Sequence, residues 1–167
     1  MASPLTWTPG PWTLPLRRVT AAYLILSGGA EALTPILFRE PLHAALAAQM
    51  AAANASGASP LDAADLRRTE DLAFGVTLVL GALFGLLLAG VGVSALGRWR
   101  WVFYACLALT GLSVVGLINS LTRPDAAALS APLPALSLGG QVAGSALFAV
   151  LLAVRIRTGP WGMTRGA

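Results

Sequence analysis

The chain has 167 residues, 56% hydrophobic and 11% charged, with a mean hydropathy of +0.74 and a formal charge of +4. Soluble domains are about 45–50% apolar and about 25% charged, so this composition excludes an ordinary soluble enzyme and a disordered tail. A single cysteine, Cys106, excludes an intrachain disulfide, and a single histidine, His43, excludes a His-rich metal cage or a bis-His haem.

Taken in chain order, Pro4, Pro9, Pro11 and Pro15 predict an extended lead over 1–18 in place of a regular helix. A hydrocarbon core about 30 Å thick is crossed by about 20 helical residues. Four segments meet that length: 19–38, 72–96, 101–122 and 136–154, with a tail over 155–167. Glu31 and the Gly28-Gly29 pair inside the first segment argue against a cleaved signal peptide. Between the first two spans, Pro41 followed by Leu42, Leu46 and Met50 predicts a short amphipathic helix along the outer interface. A turn over 54–59 follows, with Ser59 expected as the N-cap and Pro60 as the first residue of a helix running into span two. Cys106, in an apolar run of span three, reads as a small inert hydrophobe.

Arginine sets the expected orientation, because cytoplasmic flanks accumulate basic residues. All eleven basic residues are arginine, which together with abundant Ala, Gly and Pro fits a GC-rich bacterial coding sequence. Arg17, Arg18, Arg98, Arg100, Arg155, Arg157 and Arg165 fall on one side of a four-span topology with no acid among them. Arg39, Arg67, Arg68 and Arg123 fall on the other, beside Glu40, Asp62, Asp65, Glu70, Asp71 and Asp125. The expected fold is therefore all-α: a four-helix transmembrane bundle of the plasma (inner) membrane, both termini cytoplasmic, with a short extracytoplasmic amphipathic segment between spans one and two. The four-residue turn over 97–100 predicts an antiparallel hairpin of spans two and three, with Trp99 and Trp101 as interfacial anchors.

Glu31 is the residue with most to say about function, because a carboxylate inside a span is costly and such groups face a bundle interior or a cavity. At 1.5 Å per residue it lies about 18 Å from the cytoplasmic face, and Gln141 lies about 7–8 Å in from the outer one. Ser27 is one turn before Glu31, and Asn119 and Ser120 end span three at the same level. The pattern predicts a polar outer half able to hold a pocket, with Arg39, Glu40, His43 and Arg123 at its rim. Glu31, Gln141, Asn119, Ser27 and His43 are the candidate ligand-binding or proton-binding residues. The alternative is that Glu31 is an interhelical tie to Gln141 or Asn119. Gly81-x-x-x-Gly85 and Gly140-x-x-x-Gly144 are candidate helix-packing sites, within the bundle or on a homo-oligomer face. The arginines are spread along membrane edges, so a bilayer is the expected partner and nucleic acid is not. No motif in the chain specifies a cofactor or a metal.

The run Arg18-Val-Thr-Ala-Ala-Tyr-Leu-Ile-Leu-Ser-Gly28-Gly29-Ala-Glu31-Ala-Leu-Thr-Pro35-Ile-Leu-Phe38 resembles the opening helix of DoxX-like membrane proteins. In that family an Arg and an apolar helix precede a Gly, a polar residue three later, then a Pro and a Phe. The resemblance implies a small four-helix bundle and a possible link to quinone-dependent sulfur oxidation. The family's basic residue just after the place of Glu31, and its second-span glutamate, are absent here. The leading expectation is a non-enzymatic accessory or small-ligand-binding component, working with itself or with a partner membrane subunit. A DoxX-like subunit of a quinone-linked oxidoreductase and a small transporter acting as an oligomer are the alternatives.

Overall fold

The structure, a computed structural model, describes residues 7–56, 62–97, 99–122 and 133–165. Within them lie five helices: α1 (Thr13–Leu37), α2 (Arg39–Ser56), α3 (Ala63–Ala95), α4 (Arg100–Thr122) and α5 (Leu133–Arg157). Two short strands, β1 (Trp7–Pro9) and β2 (Met163–Arg165), pair antiparallel with Trp7 opposite Arg165 and Pro9 opposite Met163. Helices α1, α3, α4 and α5 are long and apolar enough to cross a membrane. Large side chains such as Leu26, Leu86, Val115, Ile118 and Ile156 stand exposed along them. Exposed apolar surface on this scale fits a multi-pass membrane protein and not a soluble monomer.

The first helix starts at Thr13, earlier than the extended lead over 1–18 allows. Pro15 is the third residue of α1, where the missing N–H is one the helix would leave without an intrahelical partner in any case, so it opens the helix instead of blocking it. The segment between the first two spans is also longer than expected: α2 runs to Ser56 across part of the anticipated 54–59 turn. Ser59 and Pro60 lie outside the described residues. The N-cap of α3 is Asp62, whose carboxylate accepts from the N–H groups of Ala64 at 2.9 Å and Asp65 at 2.8 Å. From there α3 continues unbroken into span two, about 50 Å of helix in all.

Packing is organised as two antiparallel pairs, α1 with α3 and α4 with α5. The hairpin partners α3 and α4 touch far less than either touches its main partner. At the α1–α3 crossing, Gly28 and Gly85 face each other. A Cβ at Gly28 would come within 2.9 Å of the Ala89 nitrogen, and one at Gly85 within 2.9 Å of the Ala32 Cβ. Small residues thus let the two backbones meet, the arrangement that favours helix association where lipid supplies no hydrophobic drive. One end of the same seam is fixed by Arg17, buried, which donates from Nε to the Ala95 carbonyl at 3.0 Å.

The close-packed core lies at the end where α1 and α4 begin and α3 and α5 finish. Leu16, Leu24, Ala95, Val102, Phe103, Cys106, Leu151 and Trp161 are buried there. Trp161, in a short turn after α5, is fully buried at φ 58°, a left-handed conformation that is strained for a bulky residue. Its ring meets Phe103 edge-on at 5.2 Å, and its indole N–H donates to the Trp99 carbonyl at 3.4 Å.

Gly85→Val is expected to lower unfolding stability in detergent by about 1–3 kcal/mol through overpacking. Gly90→Ala, whose new Cβ meets nothing within 4 Å, is expected to be neutral or to stabilise by up to about 1 kcal/mol. Thermal unfolding of the two variants side by side checks the crossing.

Candidate functional site

Between the two helix pairs lies a cleft of about 390 Å³. From α1 it receives Tyr23, Ser27, Glu31 and Thr34, which recur at one-turn spacing on a single face. That face is about 100° around the helix from Gly28 and the α3 contact, one residue's rotation. Phe84 and Leu88 of α3 and Leu109 and Leu112 of α4 form apolar walls. Helix α5 adds Ser137, Gly140 and Gln141.

The floor is made by Tyr23. Its hydroxyl donates to the Gly140 carbonyl at 3.1 Å, so the 3.2 Å contact with Ser113 is completed by the serine donating to the phenol oxygen. This bridge joins α1 to both α4 and α5 and separates the cleft from the packed core. It explains Gly144: a Cβ there would collide with the Tyr23 hydroxyl and would lie 2.6 Å from the Ser113 Cβ.

Gln141 is held away from α1. Its Oε1 accepts from Ser120 Oγ at 3.0 Å, and its side chain lies over Gly116 of α4. Glu31 is exposed in the cleft, and among the described residues its carboxylate has no hydrogen-bond or ion-pair partner. The interhelical tie to Gln141 or Asn119 is therefore not formed. Pro35, four residues on, also has no N–H to return to the Glu31 carbonyl.

The structure thus brings Glu31, Ser27 and Gln141 into one cleft and leaves Asn119 and His43 out of it. Asn119 is exposed on α4 and lines no part of the cleft. His43 lies on α2, its Nε2 3.5 Å from Asp71 Oδ1 and its ring 5.4 Å from that of Phe74. Arg39 stands over the same Phe74 ring at 5.9 Å. These two residues dock α2 on the N-terminal extension of α3, because α3 runs well past the length of a span and offers them an aromatic face. Arg123 lies outside the described residues.

The glycine motifs divide in the same way. Gly81 and Gly85 lie in the α1–α3 seam, whereas a Cβ at Gly140 would meet nothing within 4 Å. In α5 the motif serves the Tyr23 bridge through the Gly140 carbonyl, and Gly144 leaves room for both the Tyr23 hydroxyl and Ser113 of α4.

Chemically the cleft offers one carboxylate, the hydroxyls of Ser27, Thr34 and Ser137 beside those of the Tyr23–Ser113 bridge, and an amide within apolar walls, with no basic residue among the described residues that line it. No group of three or more His, Cys, Asp or Glu side chains suited to a metal occurs among the described residues. Neither a family model, nor a curated protein, nor a solved structure matches the chain.

Tyr23→Phe is expected to cost about 1 kcal/mol by removing the hydroxyl that satisfies Gly140, and Gly144→Ala to cost more because it displaces the phenol and Ser113 together. Unfolding midpoints of both variants in detergent test the bridge. Equal stability of Tyr23→Phe and the parent chain would remove it from the architecture.

Proposed function

We propose that the protein is a four-helix transmembrane bundle of the plasma (inner) membrane with both termini cytoplasmic, acting as an accessory or small-ligand-binding component. The orientation rests on the arginine distribution: the β1–β2 end of the molecule carries Arg17, Arg18, Arg100, Arg155 and Arg157 and, among the described residues, no acidic side chain. In that orientation the cleft opens in the outer half of the membrane.

The observation that carries the reading is the partnerless Glu31 carboxylate inside an apolar span. An ionisable group at that depth is expensive to keep without an internal partner, so its complement comes from a ligand or a proton. Since none of the described lining residues is basic, the ligand that fits is an amphiphile with a cationic or hydrogen-bond-donating head against Glu31 and Ser27. Its apolar body then lies along Phe84, Leu88 and Leu112.

Titration of the detergent-solubilised chain with primary-amine amphiphiles, followed by the shift of the unfolding midpoint, tests this. Glu31→Gln is expected to weaken binding at least about tenfold, the loss of one charge-assisted hydrogen bond, while leaving the ligand-free midpoint unchanged or higher. A variant that binds as well as the parent chain, or that loses stability alone, overturns the site.

A second reading is a membrane subunit of a quinone-linked oxidoreductase. It is favoured by the Tyr23, Ser27 and Glu31 stripe, which falls in the same first span that resembles DoxX-like proteins. A quinone co-purifying with the chain, seen by extraction and ultraviolet absorbance and lost in Glu31→Gln, is its expected signature.

A further inference from the structure

The Glu31 cleft is also open on the side between α3 and α4. Next to the connection of these two helices, Ala95, Val102 and Phe103 are fully buried. Further along both helices the cover thins. On α3 exposure rises from 7% at Leu88 to 42% at Phe84, one turn on. On α4 it rises from 0% at Cys106 to 56% at Leu112. Leu88, Phe84 and Leu112 all line the cleft, so the hairpin parts where it passes it. The side between α1 and α5 is crossed instead by the Tyr23 hydroxyl, bonded to the Gly140 carbonyl.

The level of the gap decides what it faces. Phe84 lies eleven residues before the end of α3, and Leu112 twelve after the start of α4. Both are therefore about 16–18 Å of helix from the end that carries Arg17, Arg100 and Arg155. In a hydrocarbon core about 30 Å thick this is close to the midplane, where the neighbours are acyl chains and not water. A ligand that passes through a gap at this depth is already dissolved in the bilayer. The chemistry of the lining agrees. Ser27, Glu31 and Thr34 of α1 and Gln141 of α5 supply polar groups inside, whereas the gap itself is bordered by phenylalanine and leucine side chains.

We infer that the cleft takes its ligand sideways from the bilayer: a long-chain lipid whose amine or other hydrogen-bond-donating head reaches Glu31 while its chain passes out between α3 and α4. This rests on the reading of Glu31 as the partner of a ligand, and it assigns the rest of that ligand to the membrane. A chain that leaves through an apolar gap has the same surroundings bound and free, since lipid tails and leucine side chains are equally apolar. Chain length beyond the gap therefore adds little to affinity, and the 390 Å³ of the cleft sets no limit on it.

The full chain in phosphatidylcholine nanodiscs is titrated with methylamine, an eight-carbon primary amine and a sixteen-carbon primary amine, and the unfolding midpoint is followed. The two longer amines are expected to stabilise saturably, with affinities within about threefold when expressed per mole fraction in the bilayer, and methylamine is expected not to. A sixteen-carbon amine bound at least about tenfold more weakly than the eight-carbon one means a closed cleft and overturns the inference. Methylamine binding as tightly as either means entry from water and overturns it too. Leu112→Trp, which enlarges a side chain at the gap, is expected to weaken the sixteen-carbon amine about tenfold. Val150→Trp, at an exposed position of α5 that lines no part of the cleft, should bind as the parent does. Unchanged affinity in Leu112→Trp, or an equal loss in Val150→Trp, counts against the route. Glu31→Gln separates the two readings. If it still weakens an eight-carbon amine while the longer one is rejected, the site stands and only the sideways route falls. If it binds both as the parent does, the assignment of Glu31 falls, and the route with it.

Discussion

The backbone contact of α1 with α3 at Gly28 and Gly85 is the constraint on which the other arrangements depend. In lipid, association of apolar helices gains nothing from expelling water, so the gain must come from dispersion at short range. Two glycines opposite one another supply that range, and Ala21, Ala32 and Gly92 extend it along the seam. Once α1 is committed on this face, its polar face points about a quarter turn away, towards α4 and α5. The cleft is the space left between a tightly joined pair and a second pair that meets it through side chains. Tyr23 is long enough to cross that space and holds the second pair in register.

The two ends of the molecule have opposite characters for a related reason. At the strand end, bulky residues converge on Trp161 and the helices close together. At the other, α1 carries Ser27, Glu31 and Thr34 where the strand end carries Leu16, Ala21 and Leu24, and short polar side chains do not fill the gap between pairs. Packing and polarity therefore change together along the same helices. The strained Trp161 backbone belongs to the dense end, where its buried contacts offset a cost of about 1–3 kcal/mol.

Much of the fold was legible because span length and hydropathy are strong local signals. The four apolar helices, the stripe joining Ser27 to Glu31 and the close approach at Gly81 and Gly85 follow from hydropathy and periodicity. What escaped depends on partners distant in sequence. Tyr23 lies on the same stripe, two turns before Glu31, so the signal for it was present; its acceptor Gly140, 117 residues away, was not. A Gly-x-x-x-Gly spacing looks the same whether it admits a helix or a phenol, so the spacing of Gly140 and Gly144 could not point to Tyr23. His43 was placed at the rim because the sequence did not show that the N-terminal extension of α3 carries Phe74 and Asp71 to it. The start of α1 was missed because Pro15 blocks a helix interior but not its first turn.

The strand pair joins residues near the beginning of the chain to residues near its end, with Trp7 opposite Arg165. Such a contact closes nearly the whole polypeptide into a loop, and its entropic cost falls only when the intervening helices have already shortened the path. During synthesis the first strand has no partner until the four apolar helices described, α1, α3, α4 and α5, have been made. The junction is thus a late event in assembly, because its second strand is made only after α5.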